Sequence, residues 1–351
     1  MRFSYLDGLR GMAALFVLAL HWNFLFKLPF SKSYLAVDLF FMLSGFVLAH
    51  AYEAKLRSGA MTPDAFMRNR LTRLYPLYAL SVLVATGLQA ARTLTGTHGG
   101  PAVGEWMVAG VFALSFLPWA VAGASALFAM NVCYWSLSQE VLVNLIYGYA
   151  CRAAGKAAVP AVVCVTGVAL VALAVSTGSL DHGYQFNTVS LVGGCTRAFF
   201  GIGMGMLLYR HRDRLRGIGR LLPAWCAFPL VAMVFVAPPM PHGWLFDLAS
   251  VFVVLPLATV VAAAREPTSA WQLRTMHALG NSSYPLYLLH VPFATVAYKV
   301  ASTVPGWERS AATLMAGLLF LLCLQLDKRF DVPVRAWLRA RGPRLPALQV
   351  P

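Results

Sequence analysis

Five side chains that can carry a charge stand out within long apolar runs of this sequence: His21, Asp38, Glu140, Arg197 and His290. Ionisable groups are costly in such surroundings, and they mark functional sites by default. A histidine can take a proton from a hydroxyl group, and a carboxylate can orient the imidazole ring and stabilise its charged form. The set therefore predicts a buried acid/base site.

A second set of residues predicts a binding site for phosphate. Arg10 and His21 are eleven residues apart, so a helix places them on one face about 16 Å apart. Arg10 lies on the same side of the membrane as Arg68, Arg70 and Arg73 in the predicted topology. Fixed positive charges of this kind can bind a phosphate-bearing ligand. The spacing predicts a long ligand whose phosphates bind at the arginines and whose reacting end reaches His21.

Other interpretations of these residues remain open at this point. His21 and His290 can equally be hydrogen-bonding residues between helices, and the loop arginines can equally be topology anchors. Asp38 and Glu140 can be structural partners of Arg197, because an unpaired buried carboxylate is costly. The residues alone do not separate an enzyme from a transporter that relays protons.

The composition predicts the surroundings of these side chains. The chain has 351 residues, of which 59% are hydrophobic and 12% charged, and its mean hydropathy is +0.66. Soluble domains are about a quarter charged, so this is an integral membrane protein. The net charge of +15 comes from basic residues between the apolar runs, which is typical of cytoplasmic loops and argues against nucleic-acid binding. The six cysteines are scattered, so neither a disulfide framework nor a zinc site is expected.

Apolar runs of about 20 residues predict transmembrane helices. Eleven candidates lie near 9–28, 34–54, 74–92, 106–122, 134–151, 157–177, 191–209, 221–237, 245–264, 281–301 and 310–326. The run at 106–122 is short and contains Pro118, so we expect a re-entrant or interfacial segment there. The remaining ten spans place four basic segments in the cytoplasm, as the positive-inside rule requires. These segments are Lys55–Arg73, Arg210–Arg220, Arg265–Arg274 and Lys328–Arg344.

The predicted fold is thus an all-α, polytopic transmembrane bundle of about ten spans with one extra segment and both termini in the cytoplasm. Residues 1–327 form the transmembrane domain and residues 328–351 a basic cytoplasmic tail. In this topology His21 lies roughly 20 Å from the inner end of the first span. Asp38 and Glu140 lie near the outer ends of their spans, and Arg197 lies in the outer third of its span. These residues are therefore expected to meet His21.

Six segments in chain order resemble the acyltransferase 3 family of membrane-bound acyltransferases, which includes bacterial O-acetyltransferases of surface polysaccharides. They are YLDGLRGMAALFVLALHW from Tyr5, VDLFFMLSGFVLAHAY from Val37, FMRNRLTRLYPLY from Phe66, YWSLSQEVLVNLIY from Tyr134, RAFFGIGMG from Arg197 and LGNSSYPLYLLHVPF from Leu279. The first carries the family's basic residue and histidine, here Arg10 and His21. Gln139 stands where many members have an aliphatic residue.

The resemblance implies an enzyme that transfers an acyl group, acetyl above all, from cytoplasmic acyl-CoA to a hydroxyl group of a saccharide or glycolipid. It implies that His21 is catalytic, either as a general base or as a transient acyl carrier, and that Glu140 and Asp38 orient its ring. The remaining assignments are CoA-phosphate binding by Arg10, Arg70 and Arg73, and substrate binding by Ser44, Arg197 and His290.

The resemblance further implies no permanently bound cofactor, no metal and no nucleic acid, with acyl-CoA, the acceptor and the lipid bilayer as partners. The expected location is the bacterial inner membrane. The alternative function is a proton-coupled transporter or a polysaccharide exporter that uses the same histidine and carboxylates. Transporters often show paired half-repeats with broken helices, and this sequence has none that we can detect.

Overall fold

The computed structural model describes residues 3–27, 31–96 and 101–341, and these residues form an all-helical fold. In chain order the helices α1 to α16 are Ser4–His21, Asn23–Phe26, Ala36–Leu48, Ala54–Arg57, Pro63–Leu94, Val103–Leu114, Tyr134–Ala150, Ala158–Thr177, Thr188–Arg210, Arg212–Gly219, Ala227–Phe235, Gly243–Ala249, Leu255–Ala263, Ala270–Ser302, Glu308–Leu326 and Val332–Arg341. Short π-helical segments extend α3, α12 and α15 at Ala49–Glu53, Ser250–Val254 and Asp327–Asp331. The predicted all-α fold is confirmed.

Among the residues that the structure describes, six helical stretches are long and apolar enough to cross a membrane, or seven if a pair bent by 90° at residues 220–223 counts as one span. They are Ser33–Arg57, Pro63–Leu94, Ala158–Thr177, Thr188–Arg210, Gly243–Ala263 and Glu308–Arg341. The helix α14 has 33 residues, ample for a span, but polar positions such as Asn281, Ser283 and His290 lower its hydropathy. A multi-pass helical protein is therefore confirmed, and ten spans remain a prediction.

The segment after α6 folds back into the bundle. The helix α6 has 12 residues and is about 18 Å long, which is less than the hydrocarbon thickness of about 30 Å. Phe116 follows it with a left-handed backbone at φ +59°. The conformation is held from both sides, because the Phe116 ring stacks on Tyr78 at 4.2 Å and Ser138 Oγ donates to the Phe116 carbonyl at 2.7 Å.

Glycines bring the backbones of α1 and α14 into contact. A Cβ atom at Gly11 would lie 2.3 Å from the carbonyl oxygen of Leu279, and one at Gly280 would lie 2.7 Å from Cβ of Asp7. Only glycine allows so close an approach. The contact fixes α1 against α14 in parallel, so that Arg10 faces Ser283 and His21 faces His290.

The helices α3 and α9 pack in the same manner. A Cβ atom at Gly45 would lie 1.9 Å from the Ile202 carbonyl oxygen, and one at Gly205 would lie 1.9 Å from the Met42 carbonyl oxygen. Gly201 and Gly205 form a small-xxx-small pair, the usual signature of close helix contacts in membranes. This contact carries Ser44 of α3 into the bundle interior.

Gly205→Ala is expected to lower the free energy of unfolding by about 1–3 kcal/mol, because the added methyl group collides with backbone that cannot move away freely. Gly87→Ala is the matched control. It lies inside α5 with open space at its Cβ position, so the same change should be neutral or stabilise by about 0.5–1 kcal/mol. Thermal unfolding in detergent measures both variants. Equal midpoints for the two variants would contradict the proposed packing role of Gly205.

Candidate active site

A cavity of about 470 Å³ lies between α1, α3, α5, α7 and α14 and is bounded by the segment after α15. Its polar lining residues are Asp7, Arg10, Ser44, His50, Arg70, Arg73, Ser136, Glu140, Asn281, Ser283, Tyr284, Tyr287, Asp327, Asp331 and Arg335. We call the part around Arg10, Arg70, Arg73 and Arg335 the arginine end. We call the cluster of His21, His290 and Cys133 beyond Tyr287 the histidine end.

Arg10 is anchored in the contact between α1 and α14. Its Nε donates to Ser283 Oγ at 2.9 Å, and its Nη2 donates to Asp7 Oδ1 at 3.1 Å and to the Gly280 carbonyl at 3.2 Å. These bonds hold the guanidinium at the cavity wall in one orientation. The predicted neighbourhood of Arg10 with Arg70 and Arg73 is present, since all three line this cavity.

Arg70 pairs with Glu140 inside the cavity wall. Its Nη2 donates to Ser44 Oγ at 3.1 Å and forms an ion pair with Glu140 Oε1, to which Ser44 Oγ also donates at 2.5 Å. The Arg70 side chain is only 4% exposed, and its Nε has no hydrogen-bond partner among the described residues. A buried N–H group of this kind has an unused donor for a ligand oxygen.

These contacts correct the expected position of Glu140. It was expected to meet His21 near the outer end of its span, and its carboxylate instead binds Arg70 and Ser44. The reason is the depth along α7. Tyr134 at the start of α7 hydrogen-bonds Ser81 near the histidine end, and Glu140 lies six residues, about 9 Å, further toward the arginine end.

The segment after α15 supplies residues that the sequence analysis missed. Arg335 Nη2 lies 2.8 Å from Asp331 Oδ2 and 3.6 Å from Asp327 Oδ1. The second oxygen of Asp331, Oδ1, is buried and has no partner among the described residues. The sequence predicts a basic tail from residue 328 onward, and the four-residue spacing of Asp327, Asp331 and Arg335 across that boundary indicates one helical face. Residues 342–351 of that tail lie outside the described residues.

At the histidine end, the last residue of α1 meets α14. His21 Nδ1 lies 2.9 Å from the Val17 carbonyl oxygen and 3.1 Å from Nε2 of His290. His290 is fully buried, and its Nδ1 lies 3.0 Å from the Leu286 carbonyl oxygen. His21 is partly exposed. His290, expected among the substrate-binding residues, thus contacts the predicted catalytic histidine.

The carbonyl partners determine which nitrogen of each neutral imidazole ring carries the proton. A carbonyl only accepts, so Nδ1 of His290 carries the proton and its Nε2 is an acceptor. Nδ1 of His21 must then be the donor, shared between Val17 and His290. This leaves Nε2 of His21 with a free lone pair. The arrangement is suited to a histidine that acts as a base or a nucleophile.

Cys133 joins the two histidines because a proline frees a carbonyl on α14. Pro292 has no N–H to donate to Leu288, and Asn131 Nδ2 and Ser81 Oγ each donate to that carbonyl at 2.8 Å. Asn131 Oδ1 then accepts from the Cys133 backbone N–H at 3.0 Å. Cys133 Sγ lies 3.7 Å from His290 Nε2. The cysteines are scattered along the sequence, whereas the fold brings Cys133 next to two histidines.

Tyr287 separates this cluster from the cavity. Its hydroxyl lies 2.7 Å from Ser136 Oγ and 3.3 Å from the Cys133 carbonyl oxygen. Its ring meets Phe40 edge-to-face at 5.2 Å and lies 6.1 Å from the His290 ring. The cavity therefore extends from the arginine end to an aromatic wall formed by Tyr287 and Phe40. The Tyr287 side chain lies between this part of the cavity and the His290 ring.

Asp38 and Arg197 form a buried ion pair. Arg197 Nε and Nη2 donate to the two carboxylate oxygens of Asp38 at 3.1 and 2.7 Å, and both side chains are 1% exposed. Arg197 also donates to the carbonyls of His182 at 2.6 Å and Tyr34 at 3.1 Å. These bonds occupy the guanidinium within the protein, so the contacts favour the structural alternative for Asp38 over the expected contact with His21.

A neighbouring buried pair was missed by the sequence analysis. Lys32 Nζ lies 2.6 Å from Asp247 Oδ1, and Asp247 Oδ2 accepts from the Tyr34 hydroxyl at 2.5 Å and from the Leu180 N–H at 3.1 Å. Asp247 lies inside an apolar run, which was the available signal. Tyr34 links this network to Arg197, and together they tie four separate chain segments at one end of the bundle.

Comparison with known proteins gives two relatives and one family. A family model described as "Acyltransferase domain" matches residues 3–326. The chain is 40% identical over 184 residues to "Protein 2 in picA locus" of Rhizobium radiobacter, covering 50% of this chain and 94% of that protein. It is 26% identical over 353 residues to "Acyltransferase MdmB" of Streptomyces mycarofaciens, covering 92% of this chain and 87% of that protein. No solved structure matches significantly.

Proposed function

The chain belongs to the acyltransferase 3 family and is an acyltransferase, and from that premise we propose that it moves an acyl group, most simply acetyl, from cytoplasmic acyl-CoA to a hydroxyl group of a saccharide or glycoconjugate. The observation that carries this proposal is the cavity that extends from four arginines to Tyr287, with the His21–His290 pair on the far side of that residue. The family does not favour the alternative of a transporter or exporter.

In this proposal the arginine end binds the phosphates of CoA. Arg10, Arg70 and Arg73 present guanidinium groups to the cavity, and the unpartnered Nε of Arg70 offers a donor inside the wall. Arg10 and His21 are about 16 Å apart along α1, so the pantetheine arm extends through the cavity toward Tyr287. The arginine end faces the cytoplasm of a bacterial inner membrane, and the acceptor approaches His21 from the opposite side.

The proposed reaction uses the free lone pair of His21. Nε2 takes the proton of the acceptor hydroxyl while its oxygen attacks the thioester carbonyl carbon. The tetrahedral intermediate collapses with cleavage of the C–S bond, and the departing sulfur takes the proton from Nε2 of His21, which restores the neutral ring. The products are the acyl ester and free CoA. His290 is a positioning residue in this scheme, since its Nε2 keeps the His21 proton on Nδ1.

Purified protein in detergent tests the proposed function with radiolabelled acetyl-CoA and a saccharide acceptor panel, with free CoA thiol as the readout. Slow CoA release without acceptor and faster release with a suitable saccharide are expected. Absence of both acyl-CoA binding and CoA release, with acetyl-CoA and longer acyl-CoA alike, would overturn the proposal.

Arg335 is proposed as a further contact for the donor phosphates. It lines the arginine end, and two aspartates hold it there. It lies beyond residue 326, where the family match ends. A phosphate near this guanidinium would accept a charge-assisted hydrogen bond from it. The segment Asp327–Arg341 therefore contributes a phosphate contact as well as part of the cavity wall.

Arg335→Ala is expected to raise the KM for acetyl-CoA about tenfold, the equivalent of about 1.4 kcal/mol, because one charged contact is lost. The KM for S-acetyl-N-acetylcysteamine, a thioester without phosphates, should stay the same. Arg339→Ala is the matched control, because Arg339 is exposed one turn further along α16. Steady-state kinetics with both donors measure the effect, and an equal rise with both donors would contradict a phosphate contact.

His290→Leu is expected to lower kcat about 100-fold with little change in the KM for acyl-CoA, because the His21 ring loses the acceptor that fixes its proton. His290→Gln tests the reason. Its side-chain oxygen can accept the same hydrogen bond, so it should recover part of kcat. Both variants remove the imidazole ring from a buried site and should lower the free energy of unfolding. Thermal unfolding measures this loss for each variant. Equal kcat for the two would assign His290 to packing.

A further inference from the structure

The histidine end has a second chemical capability that the acyl-transfer scheme does not use. One ligand atom from each of His21, Cys133 and His290 lies within 4.8 Å of the others. His290 Nε2 is 3.1 Å from His21 Nδ1 and 3.7 Å from Cys133 Sγ. Two imidazoles and a thiol are the ligand set that zinc prefers.

Two of the three ligand spacings agree with tetrahedral coordination. Zn–N bonds of about 2.0–2.1 Å and Zn–S bonds of about 2.3 Å place two nitrogens about 3.3 Å apart and a nitrogen and a sulfur about 3.6 Å apart. The two observed distances differ from these values by a few tenths of an ångström. The Leu286 carbonyl holds the other nitrogen of His290, as outer partners do for metal-binding histidines. Partly exposed His21 gives an ion access to the cluster.

We propose that His21, Cys133 and His290 form a site for a zinc-like divalent ion whose occupation inhibits the enzyme. On binding, the Cys133 thiol releases its proton to solvent and its thiolate becomes a ligand. His290 binds through Nε2, and His21 binds through Nδ1, whose proton moves to Nε2 while the hydrogen bond to Val17 is given up. Water occupies the fourth position. Nε2 of His21 then has no lone pair for the acceptor hydroxyl, so acyl transfer stops.

Binding is tested without acyl donor, so its outcome does not depend on the proposed function. Chelator-treated protein in detergent is titrated with Co²⁺, followed by its visible absorption and by the near-ultraviolet thiolate-to-cobalt charge-transfer band, and then with Zn²⁺ in competition. Wild-type protein should bind one equivalent with both features. Cys133→Ser should lose the charge-transfer band and bind zinc about 100-fold or more weakly, because loss of a ligand exceeds the usual effect of an outer partner.

Cys195→Ser is the matched control, since Cys195 also lies in an apolar helix but is hydrogen-bonded to Gln139. It should keep the full spectrum. Inhibition is measured for each variant as the ratio of acyl-transfer rates with and without zinc, and Cys133→Ser should need about 100-fold more zinc for half inhibition. Absence of the band in wild type, or its persistence in Cys133→Ser, overturns the site. Cobalt binding by a protein that shows no acyl transfer would instead contradict the proposed function and still support the metal site.

Discussion

Acyl transfer is expected to fall by about 10²–10⁴-fold when His21 is replaced by alanine, because the proposed reaction loses its base. The fall should appear in kcat. The KM for acyl-CoA should change little, since the arginine end that binds the phosphates lies about 16 Å away along α1. Stopped assays of CoA release and equilibrium binding of acyl-CoA separate these two quantities.

Controls for this variant are available within the chain. His211→Ala removes an exposed histidine beyond the end of α9 and should leave both quantities unchanged. His21→Gln keeps a polar side chain of similar size and should be as inactive as the alanine variant, because an amide does not take up a proton. If His21→Ala, still folded, released CoA at the wild-type rate, His21 would have no part in the chemistry.

Arg197→Met is expected to lower the free energy of unfolding by about 3–5 kcal/mol, because it leaves the Asp38 carboxylate buried without its partner. The double variant Asp38→Leu/Arg197→Met removes both charges and should recover a good part of this loss. Thermal unfolding in detergent measures the three proteins. Acyl transfer per folded molecule should fall far less than in His21→Ala.

This experiment separates two roles for the pair. A structural pair predicts low stability and partial rescue by the double variant. If Arg197→Met kept the wild-type unfolding midpoint and lost acyl transfer, Arg197 would act on the substrate, as the resemblance implied. The hydrogen bonds of Arg197 to Asp38, His182 and Tyr34 favour the first result.

The sequence by itself determined the features that depend on one segment at a time. Its apolar runs predicted a multi-pass helical protein, because a segment without enough charge to stay in water must form its backbone hydrogen bonds internally. The spacing of Arg10 and His21 predicted that phosphate binds at one depth in the membrane and that the reaction occurs at another. This follows because the rise per residue of a helix is fixed. The order of six motifs predicted the family, which the comparison confirmed.

Only the tertiary structure decided which side chains meet. Glu140 binds Arg70, Asp38 binds Arg197, and His21 meets His290, a partner 269 residues away. These pairs depend on which helices are neighbours and on the depth at which glycines lock them together, for example Gly11 against Leu279. The hydropathy of the sequence indicates neither which helices are neighbours nor the depth at which they are in contact. A buried charge in the sequence indicates that a partner is needed, and the packing of the helices determines which partner it is.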